Sequence, residues 1–322
     1  MKPIPVIIDT DPGVDDALAL MLAFASPELD VIGICTVNGN VSLDISTRNA
    51  LGLLNLFGKT DVPVYRGSDA PLVRNRVHAT EVHGEAGMGS AVLVTPDVVA
   101  KEDAPGYLVS QLTQHPGEVT LIAVGPLTNL ALAETMSAGV LKKARRVIAM
   151  GGAVVAPGNA SATAEFNFFA DPHAAQIVIR SGAKLVLVPL DATHQVGVSE
   201  TVIRDRICPL ATPISEFIVN AVSHVLVYGE NMGREAVVFL HDPLAVGLAI
   251  APSMFDCLQF FLDVETSGDL TLGQLVSDRR QAPRGGRLGH PVQCVMGVHS
   301  DLFLNLFFER VLHIQPGSPS DV

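Results

Sequence analysis

The chain has 322 residues, a formal net charge of −12, and is 48% hydrophobic but only 17% charged. So much apolar material can fill one large core, and the acidity, with no Lys/Arg run beyond a pair or triplet, excludes a surface built for nucleic acid. No apolar stretch reaches the ~18–20 residues of a membrane helix, and Cys35, Cys208, Cys257 and Cys294 stand far apart, against a disulfide framework or a thiolate zinc site.

In chain order, short apolar runs rich in β-branched residues are each followed by a turn and a helical pattern. Residues 6–8 lead through an acidic loop into a helix over 17–25. Residues 31–37 lead through Asn38-Gly39-Asn40 into an amphipathic stretch over 43–57. Residues 119–124 precede Gly125-Pro126 and a helix over 128–136; 147–150 precede Gly151-Gly152 and a long loop; Pro172 opens another helix, and 185–188 form a further strand. Strands alternating with helices of this length predict right-handed βαβ units and an α/β fold with a mostly parallel, doubly wound central sheet. The helical segment near 213–228 is expected to add a cap. Residues 67–91 and 151–169 are long, rich in small residues, and read as binding loops. No linker or repeat divides the chain, so 1–322 is read as one domain with a tail at 316–322. The amino terminus is too short an apolar run for a signal peptide, and the expected compartment is the cytoplasm.

The chemistry concentrates in Asp9-Thr10-Asp11-Pro12-Gly13-Val14-Asp15-Asp16, which follows the first predicted strand and opens the first predicted helix. Four carboxylates in eight residues repel one another unless a cation sits among them. In an open α/β sheet, the carboxyl end of a strand is where ligands bind. Oxygen donors without neighbouring His or Cys favour Ca²⁺ or Mg²⁺ over zinc. The same residues also read as a common turn followed by an N-cap, although four acids on one turn exceed what capping needs. A second candidate, His241-Asp242-Pro243 before an apolar helix over 244–250, reads equally as a cap with proline at the first helical position.

These motifs together resemble the inosine-uridine nucleoside hydrolases. The resemblance runs from the acidic loop through Thr36-Val37-Asn38-Gly39-Asn40, Val82-His83-Gly84-Glu85, Val124-Gly125-Pro126-Leu127-Thr128-Asn129, Met150-Gly151-Gly152, Glu165-Phe166-Asn167 and His241-Asp242-Pro243, in order and across most of the chain. It implies Ca²⁺-dependent hydrolysis of the N-glycosidic bond of ribonucleosides, giving free base and ribose. Asp11, Asp16, Asp242 and the Thr128 carbonyl resemble the ligands of the ion, and Asp11 the general base acting on water. Asp15, Asn40 and Asn167 resemble the groups that hold the ribose hydroxyls, Asn159 and Glu165 the pair at the 5′-hydroxyl, and Met150 a wall of the sugar pocket. His241 resembles the residue beside the departing base, and His83 a histidine near the base in some members. Relatives are dimers or tetramers, which implies a homo-oligomer whose partner molecule is a small ribonucleoside, without nucleic acid or membrane.

The chemistry agrees with this reading. Glycosidic cleavage builds positive charge on the sugar, which a carboxylate-ringed site stabilises. The base needs a proton or a hydrogen bond as it leaves, and imidazole is a natural donor. His224 and Tyr228, four apart on a predicted helix, could stack on a base or simply pack. Two rivals share the residues. A haloacid-dehalogenase-type phosphatase would use Asp9 as nucleophile, with Lys184 and Asp191 later in the chain. A nucleoside or ribose binder without turnover would keep the pocket alone.

Overall fold

The alternation of apolar runs and helices read from the sequence is realised in the computed structural model, which describes residues 2–233, 235–281 and 283–314. The tail at 316–322 lies outside the described residues. The chain opens with β1 (Ile4–Thr10), α1 (Val14–Phe24), β2 (Leu29–Thr36), α2 (Leu43–Leu56) and β3 (Val64–Arg66). After the one-turn α3 (Thr80–His83) come α4 (Ala104–Gln114), β4 (Thr120–Ala123), α5 (Thr128–Met136) and β5 (Arg146–Met150). A long loop then leads to α6 (Phe166–Ala170), α7 (Pro172–Arg180), β6 (Leu185–Val188) and α8 (Leu190–Thr193).

The last third departs from the simple rhythm. A small antiparallel pair, β7 (Gly197–Ser199) and β8 (Val237–Phe239), brackets α9 (Glu200–Val202) and α10 (Pro213–Asn231). Then follow α11 (His241–Ile250), β9 (Phe255–Val264), β10 (Leu275–Ser277), β11 (His290–Val298) and α12 (Ser300–Val311). The main sheet runs β10-β9-β11-β6-β5-β4-β1-β2-β3, parallel from β11 to β3, with β9 and β10 antiparallel at one edge. A mostly parallel sheet was expected; the antiparallel edge was not, because Asp256, Gln259 and Asp263 interrupt the apolar residues of 255–264 without a regular alternation to read.

Side chains alternate across the sheet and build two cores. Val6, Ile8, Ile122, Ile148 and Met150 face α1, α2, α10, α11 and α12. Ile7, Leu121, Ala123, Val147 and Ala149 face α4, α5 and α7. Helix α1 is buried on all sides, with nine of its eleven residues shielded, which explains why it reads as uniformly apolar rather than striped. Helix α10 is the additional helix expected as a cap, and it lies against α3 and the following loop: the Ser90 N–H donates to the Asn220 carbonyl at 3.2 Å, and the Ser90 hydroxyl to the same carbonyl at 2.9 Å.

The winding of this sheet sets the location of the site. From β1 the chain moves outward through β2 and β3, then returns to β4 on the other side of β1 and proceeds through β5 and β6. The order reverses between β1 and β4, so the loops after those strands diverge and leave a crevice.

Candidate active site

Nearly every residue singled out in the sequence follows the carboxyl end of β1, β2, β4 or β5, or begins α11. Asp16, the third residue of α1, accepts from the Gly13 N–H at 2.9 Å and so caps its own helix. The same carboxylate accepts from the Thr10 hydroxyl at 2.5 Å, from the Asp11 N–H at 3.3 Å and from Asn40 Nδ2 at 3.0 Å. The capping reading was therefore correct for Asp16, but it does not exhaust this carboxylate. Asp11 accepts from the Asn40 N–H at 2.5 Å through Oδ2, while its Oδ1 is buried with no hydrogen-bond partner.

Oxygens of Asp15, Asp16 and Asp242 lie within 4.8 Å of one another. This trio includes Asp15, which the resemblance assigned to the sugar. Asp11 borders it closely enough to act on Asp242 electrostatically. Burial, then mutual repulsion, raises the pKa values of Asp11 and Asp242 well above the usual carboxylate range, and burial lifts Asp15 and Asp16 to about 6. Among the described residues no Lys or Arg pairs with any of the four. Three buried acids and the half-buried Asp15 gather here without a Lys or Arg partner. Asp11 Oδ1 and Asp15 Oδ1 accept no hydrogen bond, although His83 Nδ1 stands 3.9 Å from Asp15 Oδ1, and oxygen donors of this kind could hold a hard cation.

Asp9 belongs elsewhere. The two-residue period of β1 sends it, like Ile7, to the α5 side of the sheet, where it accepts from Asn129 Nδ2 at 2.7 Å; burial raises its pKa to about 7. The same amide donates to the Thr36 carbonyl at 3.1 Å, and its oxygen accepts from the Ser68 N–H at 2.8 Å. Asp9 is thus a tie between strands rather than part of the acid cluster.

The sugar-side candidates line the loops after β2, β4 and β5. Asn167 donates to the carbonyls of Val124 (2.8 Å) and Met150 (3.1 Å), which occupies its amide nitrogen and leaves its oxygen available. Met150 is buried. Glu165 caps α6 by accepting from the Asn167 and Phe168 N–H groups and also takes the Gly152 N–H at 2.8 Å; burial nonetheless raises its pKa to about 7. Asn159 is exposed, and its side-chain oxygen accepts from the Phe166 N–H at 2.9 Å. Thr128 is buried at the start of α5, its hydroxyl donating to Asp171 at 2.8 Å.

Imidazoles gather on the other side. His83 is buried, and its Nδ1 accepts from the Val14 N–H at 3.1 Å. That bond leaves Nε2 as the protonated nitrogen, and burial holds the pKa down to about 4. His241 Nδ1 lies 2.7 Å from the Thr193 hydroxyl; burial, then the neighbouring His194 and His83, lowers its pKa to about 3. His224 Nε2 meets the Glu81 carbonyl at 3.1 Å, joining α10 to α3. Tyr228 is half-buried one turn further along α10.

Several participants escaped the sequence reading. Thr193 and His194 stand beside His241, and the polar run Asp191-Ala192-Thr193-His194 at the carboxyl end of β6 was the signal available for them. Asp191 accepts from the N–H groups of Val154, Val155 and Ala156; it fastens the loop that carries Asn159.

The inosine-uridine preferring nucleoside hydrolase family model matches residues 6–305. The chain belongs to that family. A pyrimidine-specific ribonucleoside hydrolase of a Shewanella species is 37% identical, covering 86% of this chain and 87% of its own. A solved plant nucleoside hydrolase (PpNRh1) superposes with a TM-score of 0.89 at 33% identity, covering 97% of this chain and 99% of that one. A purine-preferring ribonucleoside hydrolase from Gardnerella vaginalis gives 0.87 at 29% identity, covering 95% and 98%. The chain is therefore a glycosyl hydrolase of the nucleoside hydrolase family, and the phosphatase reading falls. Its proposed nucleophile Asp9 is bonded to Asn129, Asp191 is spent on backbone amides, and Lys184 is exposed before the amino end of β6, away from the crevice.

Proposed function

We propose that the protein hydrolyses the N-glycosidic bond of ribonucleosides, releasing free base and ribose, in a site that requires Ca²⁺. The observation that carries this reading is the cluster of Asp11, Asp15, Asp16 and Asp242 at the switch point, three of them buried, two with an oxygen that accepts no hydrogen bond, and none paired with Lys or Arg among the described residues. Asp16, Asp242, Asp11 and the Thr128 backbone carbonyl would hold the ion. When bound, Ca²⁺ supplies a Lewis acid and a template for a cis-diol.

The chain's own groups divide the remaining work. Asp11, with one oxygen unpartnered, takes the proton of the attacking water. Asp15 and the side-chain oxygens of Asn40 and Asn167 accept from the 2′- and 3′-hydroxyls; the Asn40 and Asn167 amide nitrogens are already committed to Asp16 and to backbone carbonyls. Glu165 and Asn159 take the 5′-hydroxyl end, and Met150 bounds the sugar. The ring of carboxylates favours the positive charge that develops on the ribosyl carbon. His241 and His83 meet the base, and His224 and Tyr228 on α10 cover it.

Continuous cores on both faces of one sheet support a single domain over 1–322. Val92, Val94, Val98 and Val99 are exposed within one short stretch of chain, which suits a homodimer or homotetramer that covers them; light scattering on purified protein tests this. No helix among the described residues is long and apolar enough to cross a membrane. That absence and the free cysteines fit a cytoplasmic enzyme, which fractionation of its native cells tests.

Relatives carry both pyrimidine-specific and purine-preferring names, so the base is the variable to rank. Comparing a ribonucleoside with its 2′-deoxy counterpart tests the sugar assignment. The deoxy substrate, lacking a hydroxyl for Asp15 and Asn167, should turn over far more slowly; equal rates would refute that assignment.

A further inference from the structure

Thr193 ends the one-turn helix α8 and is fully buried. Its hydroxyl lies 2.7 Å from His241 Nδ1, and among the described residues this is the only hydrogen bond the hydroxyl makes. A hydroxyl has one proton to give. If Nδ1 carried the ring proton and donated it to Thr193, the hydroxyl proton would be buried without an acceptor, a costly arrangement. The favoured assignment sends the hydroxyl proton to Nδ1, so Nδ1 accepts and the ring proton sits on Nε2.

The ring is also clamped. His194 meets it edge-on at 5.7 Å between centroids, Phe239 is tilted against it at 5.8 Å, and those two rings lie 4.9 Å apart. Turning the imidazole over would replace Nδ1 by a carbon at Thr193 and forfeit the bond. Geometry and proton count therefore select one tautomer and one orientation.

We infer that Thr193 is a positioning residue that locks His241 as the Nε2–H tautomer, so that the imidazole meets the departing base as a hydrogen-bond donor. The inference rests on the assignment of His241 to the base. As the glycosidic bond breaks, its electron pair moves onto the base, and an N–H aimed at that growing negative charge stabilises it where a lone pair would repel it. No proton has to leave the ring.

The test combines ¹⁵N-histidine NMR with kinetics on the full chain. In the wild-type spectrum, with the resonance assigned by its loss in His241→Gln, His241 should show an unprotonated Nδ1 and a protonated Nε2. Thr193→Val keeps the shape and removes the hydroxyl. It should populate the other tautomer and lower kcat by about ten- to a hundredfold, the usual cost of removing an orienting partner, with KM little changed. Thr193→Ser, which restores the hydroxyl, should recover both. A wild-type ring protonated at Nδ1, or a Thr193→Val enzyme with unchanged nitrogen shifts and unchanged kcat, overturns the inference. Undiminished kcat in His241→Gln would instead remove the assignment of His241 to the base, while the nitrogen shifts still decide the lock.

Discussion

Gly39 is the narrowest point around Asp11, and a single methyl group there should disable the enzyme. A Cβ at Gly39 would stand 1.9 Å from Asp11 Oδ2 where ordinary contact begins at 3.4 Å, so the carboxylate would have to retreat by about 1.5 Å. The added methyl would also stand 2.7 Å from Pro126 Cδ, and the backbone of Gly125 lies close to the other oxygen, where a Cβ would reach Asp11 Oδ1 at 2.5 Å. Its Oδ2 is also tied to the Asn40 N–H at 2.5 Å. Either Asp11 rotates away from the acid cluster or the 37–40 loop moves out and takes Asn40 with it. Both displace groups assigned to catalysis by more than the ~1 Å that can cost about a hundredfold in rate. Gly39 does not occupy the left-handed region, so alanine adds no backbone strain, and overpacking should cost only ~1–3 kcal/mol of stability. Gly39→Ala should thus remain folded in a thermal melt at saturating Ca²⁺ while kcat/KM for a ribonucleoside falls at least about a hundredfold. A folded Gly39→Ala enzyme with near wild-type kcat/KM would refute the placement of Asp11 at the reacting centre.

Other expectations follow from the same geometry. Asp242→Ala should weaken Ca²⁺ binding measured by titration calorimetry by at least about tenfold, and unchanged affinity would remove Asp242 from the ligand set. Stability of chelated protein should depend on pH in a definite direction. Carboxyls whose folded pKa is raised favour the fold fully only below their unfolded values of 3.8–4.5, and that contribution is lost as pH climbs through about 7 for Asp9 and Glu165. His83 and His241, lowered from 6.5, act in the opposite sense below that pH and are neutral in both states above it. The melting temperature in chelator should therefore fall between pH 6.5 and about 8. Added Ca²⁺ should reverse the loss, and a melting temperature that rises over this window would contradict the burial of these acids. Phe303 is fully buried and packs on Phe255 and Phe307, so Phe303→Ala should destabilise by ~3–5 kcal/mol, read from denaturant unfolding; a loss under ~1 kcal/mol would mean that α12 is not part of the core.

Much of this is legible in the sequence. β-Branched runs ending in Asn, Asp and Gly disclosed the parallel strands and their functional ends, because a doubly covered strand is apolar until it emerges from the sheet. The acids at 11, 15 and 16 stood out because carboxylates crowded on one turn repel unless a cation sits among them, whereas Asp242 read equally as a helix cap and was singled out by the resemblance; the fold brings Asp15, Asp16 and Asp242 together. What the sequence withheld was direction. Asp9 and Asp11 look alike in the chain, but strand period sends Asp9 through the sheet to Asn129. Strand β9, with Asp256, Gln259 and Asp263 among its apolar residues, gives no clear strand pattern and exposes Asp256 to Gln259, because it lies near the sheet edge between β10 and β11. Thr193 offers only the short polar run after β6 as a signal, and its role emerges once α8 carries it to His241.

Hydrolysis of ribonucleosides in this acid-lined crevice, as proposed, needs both a bound cation and Asp11. Base release from inosine, adenosine, guanosine, uridine, cytidine and xanthosine, in chelator and after Ca²⁺ add-back, with Asp11→Ala beside the wild type, tests it directly. Release should be phosphate-independent, abolished by chelator, restored by Ca²⁺ and lost in Asp11→Ala, with the ranking of bases defining specificity. Turnover that survives both chelator and Asp11→Ala, or nucleoside binding with no turnover across the panel, would contradict the proposal.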